Sequence, residues 1–125
     1  MVSHKRPINL ALTSFSYPPM MIVSILHRIS GVVLFVLLPV MLYFFSLSLQ
    51  SSVSFAQLQS QLTEPLYKFV FWVFGAALIY HVLAGIRHVV MDCGFGESLV
   101  AGRRSAQFVI VLALVLSLWF GVVLW

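Results

Sequence analysis

Long apolar runs without charged side chains constrain the fold of this chain more than any other feature. No acidic or basic residue lies between Ile29 and Thr63, and none lies between Ser105 and Trp125. A helix needs about 20 apolar residues to cross the hydrocarbon core of a bilayer. Only 8% of the 125 residues are charged, whereas a typical soluble domain has about 25%. The sequence therefore predicts a membrane protein.

We predict an all-α membrane protein that forms one domain over residues 1–125. Its three transmembrane helices are expected at about residues 20–49, 65–91 and 105–125. An arm over residues 1–19 precedes them, and a polar connector over residues 50–64 and a loop over residues 92–104 join them. Thr63 and Pro65 are typical of a helix start, because threonine caps a first turn and proline is tolerated in it.

The basic residues predict the orientation of these helices. Lys5 and Arg6 lie in the arm, Arg103 and Arg104 lie in the second loop, and residues 50–64 contain no basic residue. Basic residues concentrate on the cytoplasmic side of membrane proteins. We therefore expect a cytoplasmic N-terminus and a periplasmic C-terminus. Scattered in this way, the net charge of +4 forms no patch, which excludes nucleic-acid binding.

A group of polar side chains opens the first span. Ser24, His27, Arg28 and Gly31 are spaced at i, i+3, i+4 and i+7, so they share one face of a helix. A hydroxyl, an imidazole and a guanidinium are costly at the entrance to a bilayer unless they meet partners or a ligand.

A second polar face lies on the returning span. His81, Gly85 and His88 are spaced at i, i+4 and i+7. At 1.5 Å per residue, His81 lies roughly 24 Å along the helix from Pro65. The predicted topology therefore places His81 at the depth of His27, provided that the first two spans pack side by side.

Spacing alone leaves two interpretations of these histidines open. One is a structural polar cluster. The other is a b-type heme, which needs an axial nitrogen, a small residue beside its flat face, and cations for its propionates. His81 would be the metal ligand and Gly85 the small residue, while Arg28 and His27 (or His88) would serve the propionates. Because only one histidine is central, a second axial ligand would come from another chain.

Ser24 and Arg28 suggest a separate small-molecule site. A quinone carbonyl accepts hydrogen bonds from a hydroxyl or a guanidinium, and its apolar tail can remain in lipid. The alternative is that Ser24 bonds only to the backbone of its own helix, as serine commonly does in membrane helices.

Residues 24–31 (SILHRISG) and 80–92 (YHVLAGIRHVVMD) together resemble the cytochrome b subunit of bacterial succinate dehydrogenase. The resemblance extends to residues 6–10 (RPINL) and 101–105 (AGRRS). It implies a heme-binding membrane anchor of respiratory complex II, packed with a second anchor subunit into a helical bundle in the bacterial inner membrane. It also implies a flavoprotein subunit and an iron–sulfur subunit on the cytoplasmic face, assembled as one heterotetramer or a trimer of heterotetramers.

The resemblance implies roles for individual residues as well. Ser24 and Arg28 contact ubiquinone, His81 is the axial ligand of heme b, His27 and Arg28 lie near the propionates, and His88 supports the site. The second axial histidine belongs to the other anchor. Electrons from succinate pass through FAD and iron–sulfur clusters on the partner subunits to ubiquinone, so this chain holds no catalytic residue of the dicarboxylate chemistry.

Two other functions stay open at this point. The anchor of a fumarate reductase has the same architecture and runs in reverse. A structural membrane protein or small proton channel could also place His27, Arg28 and His81 in a polar lining, although proton conduction usually needs carboxylates within the span and none is found there.

Overall fold

The computed structural model describes residues 19–125, and the predicted N-terminal arm lies almost entirely outside this range. The described residues form four helices and no strand. They are α1 (Pro19–Gln50), α2 (Ser52–Gln61), α3 (Pro65–Asp92) and α4 (Leu99–Leu124). Three of them, α1, α3 and α4, are long and apolar enough to cross a membrane. The predicted all-α fold with three transmembrane helices is confirmed.

The connector between the first two spans contains a short helix that the sequence analysis did not predict. The Ser51 side chain accepts a hydrogen bond from the Ser54 backbone N–H, and the Ser54 hydroxyl accepts one from the Ser51 N–H, both at 3.0 Å. This reciprocal cap satisfies donors that the first turn would leave unpaired. Leu58 is 5% exposed. The polar helix α2 is held against α1 by this buried leucine and by the Ser54 hydroxyl, which donates to the Leu47 carbonyl at 2.9 Å.

The last helix begins at Leu99 rather than near residue 105, because Ser98 caps it. The Ser98 side chain accepts a hydrogen bond from the Ala101 N–H at 3.3 Å. Gly94 and Gly96 adopt positive φ angles of 85° and 73° in the preceding turn, a conformation that glycine adopts without steric cost. The exposed Arg103 therefore lies within α4 and not in the loop.

Small residues allow α3 to pack closely against its neighbours. The buried core joins three helices and consists of Val23, Ala84, Ala106 and Val109. At the other end of α3, the Trp72 indole N–H donates to the Ser117 carbonyl on α4 at 2.9 Å. Most large apolar side chains face outward, as expected for helices surrounded by lipid or by other membrane helices.

Candidate functional site

The structure brings three of the four histidines together between α1 and α3. The rings of His27 and His81 stack with their centroids 4.2 Å apart and their planes 20° from parallel. The His88 ring is tilted, with its centroid 5.1 Å from that of His27. The two polar faces identified in the sequence thus meet at the α1–α3 contact. We call His27, His81 and His88 the imidazole cluster.

The backbone and a hydroxyl of α1 hold the His81 ring. Its Nδ1 lies 3.0 Å from Ser30 Oγ and 3.3 Å from the His27 carbonyl oxygen. The Ser30 hydroxyl also donates to that carbonyl at 2.7 Å. A Cβ placed on Gly31 would lie 3.3 Å from His81 Cε1, which is tighter than an ordinary contact. One turn of α1 therefore fixes the position of the ring.

The ring of His27 has one nitrogen without a partner. His27 Nε2 is buried and makes no hydrogen bond to another residue within 19–125. A buried polar atom left unpaired costs about 1–3 kcal/mol. A Cβ on Gly85 would lie 3.6 Å from this nitrogen, so the glycine borders His27. The unpaired nitrogen marks a place where a polar group from outside the described residues can bind.

The side chains of Ser24 and Arg28 make no hydrogen bond to the imidazole cluster. Ser24 is half-buried and Arg28 is exposed. Neither side chain hydrogen-bonds to a residue in the described part of the chain, whereas Ser30 and Ser48 each donate to a carbonyl three residues earlier in α1. Within residues 19–125, the hydroxyl of Ser24 and the guanidinium of Arg28 thus have no side-chain hydrogen-bonding partner.

Three residues at the site were given no binding role in the sequence analysis: Ser30, Tyr80 and Arg87. The Tyr80 hydroxyl donates to the Val23 carbonyl of α1 at 3.1 Å. Tyr80 and Arg87 lie at i and i+7, one position before His81 and His88, so a helical projection places them beside the histidine face. The helical spacing therefore predicted that Tyr80 and Arg87 lie near the histidines, but it did not predict their hydrogen-bonding partners.

Arg87 connects α3 to α4. It is 7% exposed, and it donates to Ser105 Oγ at 3.0 Å and to the Gly102 carbonyl at 3.1 Å. The Ser105 hydroxyl donates to the same carbonyl at 3.1 Å. The side chain of this arginine thus points into the protein.

The surroundings of the His81 ring fit those of an imidazole that ligates the iron of a b-type heme. His81 Nδ1 is engaged by α1, while His81 Nε2 makes no hydrogen bond to a residue of 19–125, which is the arrangement typical of a metal-ligating imidazole. Neither His27 Nε2 nor the Arg28 guanidinium hydrogen-bonds to another residue of 19–125, so both could meet the carboxylates of a heme. Within the described residues, no group of three or more His, Cys, Asp or Glu side chains could hold a bare metal ion.

Comparisons with known proteins show the family of this chain. The sequence matches the family described as succinate dehydrogenase/fumarate reductase transmembrane subunit over residues 2–120. It is similar to proteins named succinate dehydrogenase cytochrome b556 subunit. The one from Coxiella burnetii is 45% identical over 97% of this chain and 98% of its own length. The one from Rickettsia prowazekii is 30% identical over 94% and 91%, and the one from Paracoccus denitrificans is 29% identical over 90% and 86%.

Proposed function

Because this chain belongs to the succinate dehydrogenase/fumarate reductase transmembrane subunit family, we propose that it binds heme b and helps to form the ubiquinone-reduction site of succinate dehydrogenase. A second anchor subunit shares the heme. The dicarboxylate chemistry takes place on a partner flavoprotein with FAD. Iron–sulfur clusters on a third subunit carry the electrons to the membrane. The N-terminus of this chain faces the cytoplasm, and the complex lies in the bacterial inner membrane.

His81 is the proposed axial ligand of the heme iron. The observation that carries this assignment is that the two ring nitrogens differ in their partners. Ser30 and the His27 carbonyl on α1 engage Nδ1, while Nε2 makes no hydrogen bond within residues 19–125. A bound heme supplies a one-electron carrier beside the quinone site. A second imidazole ligand would come from the other anchor subunit, because His27 stacks on the face of the His81 ring and is not placed to share an iron with it.

His27 and Arg28 are the proposed partners of the heme propionates. The buried His27 Nε2 has no hydrogen-bonding partner within residues 19–125, and a propionate oxygen at the membrane boundary can provide one. The exposed Arg28 guanidinium contributes the positive charge. His88 tilts against His27 and supports its orientation.

Ser24 and Arg28 are the proposed quinone-binding residues. Ser24 differs from Ser30 and Ser48 in making no hydrogen bond to its own helix, so its hydroxyl can donate to a quinone carbonyl. Arg28 lies one turn further along α1 and offers a second donor. Both groups hold and orient the quinone ring, and the apolar tail of the quinone extends into lipid.

The family description also covers fumarate reductase, so the anchor of a fumarate reductase is the second candidate function. It uses the same residues with electrons flowing from quinol to the soluble subunits. Family membership speaks against the third alternative, a non-redox structural protein or channel.

Replacement of His81 tests the proposal. In the purified complex, His81→Ala should abolish the b-type signal in reduced-minus-oxidised spectra. Val82→Ala, at the neighbouring exposed position of α3, should leave the signal intact. An unchanged spectrum in His81→Ala would remove the ligand assignment, and a wild-type complex without a b-type signal would remove the heme function altogether.

A further inference from the structure

Ser30 is one of two buried polar side chains in the described part of the chain, with 6% of its surface exposed. Its Oγ lies 2.7 Å from the His27 carbonyl oxygen on its own helix and 3.0 Å from His81 Nδ1 on α3. The hydroxyl therefore makes one bond within α1 and one between helices.

The hydrogen atoms in this group can be assigned from chemistry alone. A carbonyl oxygen only accepts, so the single hydroxyl hydrogen of Ser30 points to the His27 carbonyl. The oxygen of Ser30 then has only lone pairs left for His81, and Nδ1 must donate to it. The His27 carbonyl, 3.3 Å from Nδ1, likewise requires a donor there. Because a neutral imidazole carries one N–H, His81 Nε2 carries the lone pair.

From this arrangement we infer that Ser30 is a positioning residue for His81. Together with the His27 carbonyl it sets the ring rotation and the Nδ1–H tautomer, so that Nε2 presents its lone pair to the heme iron. The inference rests on the proposed heme function. An acceptor behind the distal N–H fixes a ligating imidazole and makes it more basic.

The remaining contacts around the ring do not select a tautomer, so this role falls to Ser30 and the His27 carbonyl. The stacked His27 ring covers one face of His81, and Gly31 borders its Cε1 edge. These contacts restrict the position of the ring but do not distinguish its two nitrogens. Ser30 provides the one side-chain hydrogen bond that His81 makes within residues 19–125. The neighbouring groups therefore confine the His81 ring, and the Ser30 hydroxyl helps to select which of its nitrogens carries the hydrogen.

Serine hydroxyls in apolar helices often bond only to their own backbone, and α1 contains such a serine. Ser48 Oγ donates to the Phe45 carbonyl at 2.6 Å and hydrogen-bonds to no histidine within residues 19–125. Ser30 and Ser48 thus share the bond within the helix and differ in the bond to His81, which makes Ser48 the matched control.

The test uses the complete membrane complex with Ser30→Ala, Ser30→Thr and Ser48→Ala. In Ser30→Ala a less basic imidazole stabilises oxidised iron less, so the midpoint potential of the b-type heme should become more positive. The low-field electron paramagnetic resonance signal of the oxidised heme should shift, and heme retention should weaken about tenfold. Ser30→Thr keeps the hydroxyl and should restore the wild-type values. Ser48→Ala should match wild type.

Each outcome decides the question. If His81→Ala loses the heme but Ser30→Ala keeps the wild-type potential, resonance signal and heme retention, the role of Ser30 is refuted and the proposed function stands. An equal shift in Ser48→Ala also refutes it. Should Ser30→Ala fail to assemble, Ser30→Cys keeps the volume with a weaker acceptor, and a wild-type potential in that variant refutes the inference. A wild-type complex without heme refutes the function as well.

Discussion

The Tyr80 hydroxyl donates a hydrogen bond to the Val23 backbone carbonyl at 3.1 Å, which links the residue before the proposed heme ligand to α1. In a regular α-helix the Val23 carbonyl also pairs with the His27 N–H. The bond therefore fixes α3 to α1 at the turn that leads into the imidazole cluster.

Tyr80→Phe should lower the stability of the assembled complex slightly. Hydrogen bonds between membrane helices contribute about 0.6 kcal/mol on average, and the phenyl ring keeps the packing. We expect a small decrease in the temperature at which the complex dissociates in mild detergent. Tyr43→Phe is the control, because Tyr43 is 61% exposed and makes no hydrogen bond to another described residue. Equal behaviour of the two variants would show that the Tyr80 bond contributes nothing.

Arg87→Lys should destabilise the α3–α4 contact. Lysine keeps the positive charge but has one donor nitrogen instead of a planar fork, so it can replace only one of the bonds to Ser105 and Gly102. We expect a loss of about 1 kcal/mol, measured as a lower dissociation temperature. Arg104→Lys, at an exposed position on α4, should have no effect. A similar loss in both variants would argue for a general preference for arginine.

Gly85→Ala distinguishes the contact of this glycine with His27 from its predicted contact with the heme. Within the chain the new Cβ would lie 3.6 Å from His27 Nε2, an ordinary contact, and alanine favours a helix by up to about 1 kcal/mol. The heme-free complex, produced under heme limitation, should therefore be at least as stable as wild type. If a macrocycle packs on Gly85 as predicted, the heme-loaded complex should retain less heme. Unchanged heme retention would remove Gly85 from the cofactor site.

Ser24→Ala should weaken quinone binding without affecting the heme. Loss of one hydrogen bond of about 1 kcal/mol corresponds to about a fivefold increase in KM for a short-chain ubiquinone. Succinate-dependent reduction of a soluble dye and the b-type spectrum should not change. Ser46→Ala, at an exposed position on α1, is the control. Wild-type quinone kinetics in Ser24→Ala would exclude Ser24 from the quinone site.

The sequence was sufficient for the features that depend on periodicity and composition. Three apolar spans and two histidine faces follow from spacing along a helix, and the structure places His27 against His81 as the depth argument required. The orientation of the termini and the ligand roles of Ser24, Arg28 and His81 stay predictions. The predicted cytoplasmic arm lies, up to residue 18, outside the described residues.

Other features depend on tertiary contacts and could not be predicted from periodicity. Arg28 shares a face with His27 in projection, yet its side chain is exposed while His27 packs against α3. Ser30 resembles any serine in an apolar helix until His81 is placed beside it. The helix α2 is polar and short, so its start depends on the local Ser51–Ser54 cap and not on a periodic pattern.

The buried Arg87 has a consequence for the loop that separates α3 from α4. Its hydrogen bonds to Ser105 and Gly102 join the two helices directly. Residues 93–98 therefore connect the helices in the chain but are not needed to hold them together. The entropy of closing a loop grows only slowly with its length. As far as the fold of this chain is concerned, that segment can lengthen, provided that Ser98 still caps α4, and its form can be adapted to whichever protein surface lies above it.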